Sequence, residues 1–544
     1  MTRLDLPDIL SYGEPMSQAE PFYISTAIAY PNGRPHIGHA YEAIAADVIA
    51  RFQRLMGRDV FFQTGTDVHG LKMVQAARDK GVTARELADE MSSYFMEMDD
   101  ALNVSYDRFI QTSEPAHYDA SIAIWKAMRA NDDIYLGRYE GWYSVRDEAF
   151  YDEKELSDGE GGQKLSPQGT PVEWTVEESW FFRLSKYQQP LLELYEKHPE
   201  FLQPDTRRNE VIRFVEGGLN DLSISRSSFD WGVPVPDSPG HVMYVWVDAL
   251  TNYLTGLGYP GDTPEMKRWW PADIHLIGKD IVRFHAVYWP AFLMSAGVPV
   301  PKQVFGHGFL LNRGEKMSKS VGNVVDPLEM AKLYGVDPLR YFLMREVSFG
   351  QDGSYSHEAI VTRCNAELAN SFGNLAQRVL SFISKNCDGE IQLVEKDEPL
   401  PEVDAEFLSE IEMHLGQFII EMGLLNIDRA IQEWMKGVFA ANAYVDSQAP
   451  WKLKKTDPER MIETLNVLVG AILQLAIAIQ PITPSAIKLL VDQFGVPESG
   501  RKYPIDTNGN WTFSLSPIVA LHRSGFQIGP PTPIFPRLEL ELES

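Results

Sequence analysis

The apolar positions of the first seventy residues change period twice. Phe22-Tyr23-Ile24 opens a short apolar run that reads as a β-strand reaching Thr26. A proline- and glycine-rich turn follows, Tyr30-Pro31-Asn32-Gly33-Arg34-Pro35. Ile44, Val48, Phe52 and Leu55 then recur at helical spacing, which predicts a helix opening near Gly38 with Gly57 as its C-terminal cap. Val60-Phe61-Phe62 predicts a second strand, ending in Gly65-Thr66-Asp67-Val68-His69-Gly70. Strand, helix and strand in so short a span imply a parallel sheet with a right-handed crossover. Such sheets bind ligands beyond the carboxyl ends of their strands. His36, His39, Asp67 and His69 all fall at that edge.

From about Tyr135 to His241 short aromatic runs alternate with turns, and Ser157-Asp158-Gly159-Glu160-Gly161-Gly162 reads as a loop. This stretch is expected to be a β-rich insertion. The sheet pattern is expected to resume at Val242-Met243-Tyr244-Val245-Trp246 and again at Ile274–Gly278. Beyond residue 360 the period is helical: Phe407, Ile411, Leu415, Phe418 and Met422 share one face, and further helices are expected across 424–446 and 459–479. The most apolar stretch, Val467 to Ile479, is too short to span a bilayer and contains Gln474, so it reads as a buried helix and no membrane is expected. Residues 1–20 read as a loosely held leader, and Gly529-Pro530-Pro531-Thr532-Pro533 as a proline-stiffened tail. The fold class is α/β.

Composition changes this picture in two places. Cys364 and Cys387 are the only cysteines, too few for a disulfide framework, and no basic start followed by an apolar core marks a secretory signal; both point to a cytoplasmic protein. The net charge of -27 argues by itself against nucleic-acid binding. A nucleic-acid partner would have to use a local basic or aromatic patch.

The chemistry concentrates in two segments, His36-Ile37-Gly38-His39 at a strand-to-helix turn and Lys316-Met317-Ser318-Lys319-Ser320 far downstream. Imidazoles donate hydrogen bonds to phosphate oxygens, and ammonium groups neutralise the charge that develops when a phosphate bond breaks. A helix N-terminus adds N–H groups and a favourable dipole. A side chain at position 38 would obstruct a nucleotide, and Gly314 and Gly322 flank the lysine segment as hinges for a mobile loop. In this order the two segments resemble the ATP-activating signatures of class I aminoacyl-tRNA synthetases. The surrounding residues narrow the resemblance to the methionyl-tRNA synthetase family, over nearly the whole chain.

That resemblance implies a Rossmann-type parallel-sheet catalytic domain in two halves (1–134 and 242–310) around a β-rich connective insertion (135–241). A KMSKS loop and stem-contact region (311–360), an α-helical bundle that binds the anticodon (361–515) and a tail (516–544) would follow. It implies that His36, His39, Lys316 and Lys319 are catalytic. ATP would be held by His36, Gly38, His39, Gly278, Asp280, Lys316, Met317, Ser318 and Lys319, with Lys319 on the pyrophosphate and Asp280 accepting from the ribose hydroxyls. Ala27, Ile28, Tyr30, Asp67, Trp246, Tyr253, Phe284, His285 and Trp289 would form the methionine site, with Asp67 on the substrate ammonium. Aromatic rings suit a polarizable thioether on a long unbranched side chain. Asn374 and Arg378, four apart on one helix face, and Trp451 beside a proline would read the anticodon. The implied partners are L-methionine, ATP with Mg2+ as a substrate complex, and tRNA(Met) including initiator tRNA.

Many members of the family carry cysteine-rich zinc knuckles in the insertion. No cysteine precedes Cys364, so a four-thiolate site cannot form there and no resident metal is expected. Packing of Trp142, Tyr143, Phe150, Tyr151 and Trp174 is expected to hold the segment from Tyr139 to Thr175 instead. The chain ends soon after the helical region, which suggests a monomer. A cysteine-specific synthetase would need zinc ligands that are missing, and a leucine enzyme a larger insertion. An adenylyl-transferring enzyme that never meets tRNA has no use for the helical region. A non-catalytic binding protein has no need of intact HIGH, KMSKS and Asp67.

Overall fold

The computed structural model describes residues 19–146, 149–159, 162–312, 314–316, 324–391, 400–495 and 526–540. Two compact units are formed by the chain. One comprises 21–46 with 60–309, and the other comprises 19–20 and 47–59 with the described residues from 310 onward.

The first unit is built on a six-stranded sheet. Its spatial order is β3 (Arg108–Gln111), β2 (Asp59–Thr66), β1 (Pro21–Thr26), then the strands Ile274–Gly278, Val304–His307 and Leu202–Gln203. β1 pairs in parallel with Ile274–Gly278, with Ser25 opposite His275, and β2 pairs in parallel with β3. Helix α1 (Ile37–Leu55) links β1 to β2 and stops where expected, at Gly57 with φ 79°. Chain order runs one way from β1 towards β2 and β3 and the other way into Ile274–Gly278. The carboxyl ends of β1 and Ile274–Gly278 therefore flank a topological switch point, the usual place for a ligand crevice in such sheets. Ala27 continues the pairing past the strand end, its N–H donating to Leu276 O at 3.0 Å.

The insertion is β-rich as expected. Its main feature is a long antiparallel pair, β4 (Ile134–Ser144) with Glu173–Phe182, flanked by Ala149–Tyr151 and Leu222–Ser223. Tyr143 and Tyr151 are buried, and Trp142 meets Trp174 edge to face at 5.5 Å. Trp174 corrects the packing expectation: directly opposite Trp142 in the register, it is 55% exposed and fills no core. The Phe150 side chain lies outside the described residues. Hydroxyls do part of the work assigned to packing. Thr170 Oγ1 lies 2.7 Å from both Ser144 Oγ and Ser166 Oγ, and Ser166 Oγ also accepts from the N–H groups of Gln168 and Thr170.

The strand expected over Val242–Trp246 is shorter than its apolar run. Only Val242–Met243 is extended, and Val245–Thr255 forms a helix of which every residue except Trp246 is buried. A helix buried nearly all round has no solvent-facing side to give its sequence an amphipathic period.

In the second unit Glu402–Gly423 and Ile427–Gln448 pack as long helices beside Pro458–Ile479. The face of Phe407, Ile411, Leu415, Phe418 and Met422 is buried, as its spacing predicts. Pro458–Ile479 is, by length and composition, long and apolar enough to cross a membrane, but its most apolar stretch is 83% buried. Trp434 locks it by donating Nε1–H to Leu475 O at 2.8 Å. The proline-rich tail is pinned: Leu538 exchanges two hydrogen bonds with Asn365, and Phe526–Gln527 pairs with Glu390–Ile391.

Candidate active site and anticodon face

His36 and His39 bracket the first turn of α1 with their rings stacked at 3.9 Å. The His36 N–H donates to His39 Nδ1, and the Gly38 N–H donates to His36 Nδ1, each at 3.1 Å. Both Nδ1 atoms act as acceptors, so each neutral ring carries its hydrogen on Nε2. The turn itself thus sets two imidazoles as Nε2–H donors. A Cβ at Gly38 would stand 2.9 Å from His36 Cε1. The glycine is required by the histidine beside it as well as by any ligand.

Across the switch point, Gly278 ends its strand buried, and Lys279 and Asp280 follow in a short 3-10 turn. A Cβ on Gly278 would meet Asp280 Oδ1 at 2.8 Å, so glycine lets the exposed Asp280 carboxylate fold back over the strand end. Lys279 lies over the Phe309 ring at 4.5 Å.

The aromatic residues named from the sequence come together. Trp246 and Phe284 stack at 3.8 Å and 6°, and the His285 ring stands edge-on to Trp246 at 6.0 Å. Phe284, His285, Tyr253 and Trp289 are all buried. Phe284 to Tyr288 form a π-helical turn, whose wider winding sets successive rings on this wall. His285 Nδ1 lies 3.0 Å from Ile281 O, which only accepts, so Nδ1 carries the hydrogen; Nε2 then accepts from the Tyr253 hydroxyl at 2.7 Å. Burial pulls the His285 pKa down to about 4, keeping the ring neutral in neutral solution.

Asp67 is buried just past β2, its backbone tied to Ala29 O and its Oδ1 3.4 Å from Thr112 Oγ1. Tyr30 OH accepts from the Met73 N–H at 2.9 Å, and Ala27 and Ile28 are half-buried after β1.

A group the sequence reading missed lies behind this wall. Asp248, fully buried, accepts from His69 Nδ1 on one oxygen and from His117 Nε2 on the other, both at 2.6 Å. Burial would raise its pKa, but the two histidines outweigh it and hold the carboxyl below the usual carboxylate range. Asp248 and His117 are 131 residues apart in sequence, so no local pattern could reveal them. Among the described residues no group of three or more His, Cys, Asp or Glu has the arrangement to hold a metal ion.

In the second unit Lys316 lies on the strand Glu315–Lys316, with Leu311 its partner in the register. Met317, Ser318, Lys319 and Ser320 lie outside the described residues. Asn374 is exposed at the start of the helix Asn374–Asn386. Arg378, one turn on, pairs with Asp446 at 2.7 Å and lies 5.6 Å from the Trp451 ring centre. Rather than ending a helix, Trp451 opens one. Ala449, at φ 44°, breaks the chain after Gln448, and Pro450–Thr456 begins a new turn. Trp451 is 42% exposed. Lys452, Lys454 and Lys455 on the same short helix are also exposed, a local basic patch on an acidic chain.

Residues 22–380 match the model of the class I tRNA synthetases (M), and residues 394–521 match that of the anticodon binding domain of methionyl tRNA ligase. The methionine–tRNA ligase of Brucella suis biovar 1 (strain 1330) is 56% identical over 95% of this chain and 98% of its own length. That of Rhizobium meliloti (strain 1021) is 53% identical over 96% and 99%. The structure of Mycobacterium tuberculosis methionyl-tRNA synthetase in complex with methionyl-adenylate superposes with a TM-score of 0.89 at 50% identity, covering 95% of this chain and all of that one. The free-state structure of that enzyme gives 0.84 at 47% identity over 96% of this chain. A parallel-sheet unit with this aromatic wall, joined in one chain to a helical unit, thus has relatives along nearly its whole length: the chain belongs to the methionyl-tRNA synthetase family of class I aminoacyl-tRNA synthetases.

Proposed function

We propose that the chain is a methionine–tRNA ligase. It activates L-methionine with ATP to methionyl-adenylate and pyrophosphate, then transfers methionine to the 3′-terminal ribose of tRNA(Met), initiator tRNA included, releasing AMP. The observation that carries the assignment is the wall of Trp246, Phe284, Tyr253 and His285, with its histidine neutral, in a unit that also buries the Asp67 carboxylate. A neutral imidazole and stacked rings favour an apolar, polarizable side chain and disfavour a charged one. Asp67 takes the substrate ammonium, while Ala27, Ile28, Tyr30 and Trp289 complete the pocket.

In the first step the methionine carboxylate attacks the α-phosphorus and the bond to pyrophosphate breaks. Positioning and charge stabilisation carry this step, and no protein nucleophile is needed. His36 and His39 donate Nε2–H to phosphate oxygens. Lys316 and Lys319 neutralise the departing pyrophosphate, with Met317 and Ser318 completing the loop. Gly278 leaves room for the nucleotide and Asp280 accepts from the ribose. Mg2+ arrives with ATP as part of the substrate. In the second step the terminal ribose hydroxyl attacks the adenylate carbonyl, and AMP leaves. Asn374, Arg378 and Trp451 read unstacked anticodon bases, Trp451 by stacking. The active form is a cytoplasmic monomer, and the segments 1–134, 135–241, 242–310, 311–360, 361–515 and 516–544 divide the work as their motifs suggest.

The test is amino-acid-dependent ATP–pyrophosphate exchange across the twenty amino acids. Methionine should drive exchange, norleucine weakly and cysteine hardly at all; faster exchange with cysteine or leucine would overturn the pocket assignment.

A further inference from the structure

The Asp67–Gly70 segment is held from several sides, and His69 is its most heavily tied residue. The backbone of Asp67 is anchored to Ala29. Trp231 donates Nε1–H to Val68 O at 2.6 Å, accepts from the Gly70 N–H at 3.3 Å and sets its ring edge-on to His69 at 5.2 Å. His69 is 1% exposed. Its Nδ1–H donates to Asp248 at 2.6 Å, and its Nε2 lies 3.1 Å from the Tyr118 hydroxyl. Asp248 lies on the helix Val245–Thr255, two residues after Trp246 and five before Tyr253. A hydrogen bond between buried groups therefore joins the Asp67–Gly70 segment to the helix bearing two rings of the aromatic wall, and Gln63 on β2 ties the preceding strand to the same helix by donating to Asn252 O at 3.0 Å and Asn252 Oδ1 at 2.8 Å.

We propose that His69 is a positioning residue for the amino-acid subsite: its bond to Asp248 fixes the spacing between the Asp67 carboxylate and the Trp246 and Tyr253 rings. This rests on the reading of Asp67 as the ammonium-binding group. An α-amino acid is gripped at its ammonium and at its side chain, so that spacing sets both affinity and the length accepted. His117, the other partner of Asp248, plays a different part. It lies on the helix Pro115–Ala130, and its Nδ1 lies 2.9 Å from Thr255 Oγ1 at the end of the Asp248 helix. It braces that helix from behind and does not touch the Asp67 segment through any of these bonds.

The two histidines present opposite ring nitrogens to Asp248, which makes the inference separable from a general need for a packed core. An asparagine side chain places its amide near the Nδ1 position of histidine, and a glutamine near the Nε2 position. Pyrophosphate exchange is measured with methionine and ATP varied in turn, alongside Tm, for H69A, H69N, H69Q, H117A and D67N. A charge-assisted hydrogen bond is worth about tenfold, so H69A should raise the methionine KM by about that factor with the ATP KM changed less than about twofold. H69N should recover most of the loss and H69Q should not. H117A should lower Tm while leaving the methionine KM within about twofold of wild type, since it removes no bond to the Asp67 segment. H69N and H69Q behaving alike, or H117A raising the methionine KM as much as H69A, would overturn the proposal. D67N keeps the two readings apart. An unchanged methionine KM in D67N removes the Asp67 assignment itself, whereas a large rise in D67N with none in H69A removes only the role given to His69.

Discussion

Gly38→Ala should push stability and catalysis in opposite directions. Gly38 lies in the first turn of α1, where it needs no left-handed conformation, so alanine introduces no backbone strain. Alanine is the better helix former by up to about 1 kcal/mol, with the gain smaller near a helix end. The new Cβ, however, stands 2.9 Å from His36 Cε1 and 3.0 Å from His36 Nδ1, where ordinary contact begins at 3.4 Å. The imidazole must retreat by about half an ångström to restore normal contact. That movement stretches the 3.1 Å bond from the Gly38 N–H to Nδ1 and disturbs the 3.9 Å stack on His39. Misplacement of a group by about 1 Å costs on the order of 100-fold in rate, so half that shift should cost about tenfold, or about 1.4 kcal/mol of barrier. Thermal unfolding and methionine-dependent pyrophosphate exchange on one preparation test this. The expected result is an equal or higher Tm, kcat down about 10-fold or more, and a methionine KM nearly unchanged, because the aromatic wall is untouched. Exchange within about twofold of wild type would refute the claim that the turn sets the histidines for catalysis.

Three further outcomes follow from the same account. Lys319→Ala should leave the fold intact and slow adenylate formation by about two orders of magnitude, the cost of about 3 kcal/mol of lost transition-state charge stabilisation; near-normal exchange in a folded variant contradicts it. Trp451→Ala should weaken charging of tRNA with a CAU anticodon by about 10- to 100-fold while exchange without tRNA barely changes, and equal loss in both reactions would mean a folding role. Acid should expose the buried His285. Its folded pKa, lowered by burial to about 4, lies below the ordinary histidine value of 6.5. Between those values the unfolded chain binds a proton that the folded chain refuses, so stability falls as pH drops through that window, by up to about 3 kcal/mol. Urea unfolding at several pH values for wild type and His285→Gln reads this directly, and a pH slope that His285→Gln leaves untouched rules the residue out.

Legibility in the sequence followed the physics of each element. Helix α1 and its Gly57 cap were readable because a half-buried helix repeats with a visible period and a left-handed glycine stops it. Val242 to Trp246 reads as one strand because it is an unbroken apolar run, although only Val242–Met243 is extended and Val245 and Trp246 open a helix buried nearly all round. Trp174 was expected in a core, but its place opposite Trp142 on a solvent-facing side depends on strand register, which no single strand encodes. The aromatic wall could be named because its residues match positions that the resemblance to the methionyl-tRNA synthetase family implies; each ring alone reads as ordinary core. The His69–Asp248–His117 group could not, since its members come from three distant segments: His69 falls at the ligand-binding edge of the sheet, but nothing local pairs it with Asp248 or His117.

The most direct test of the central claim is a single-turnover chase. Adenylate is formed on the enzyme from labelled methionine and ATP, free nucleotide is removed, and tRNA with a CAU anticodon is added. The account predicts that label moves to the 3′-terminal ribose with release of one AMP for each methionine transferred, and far more slowly to a tRNA with an altered anticodon. An adenylate that forms normally but never transfers to tRNA, or that transfers equally to any anticodon, would contradict it.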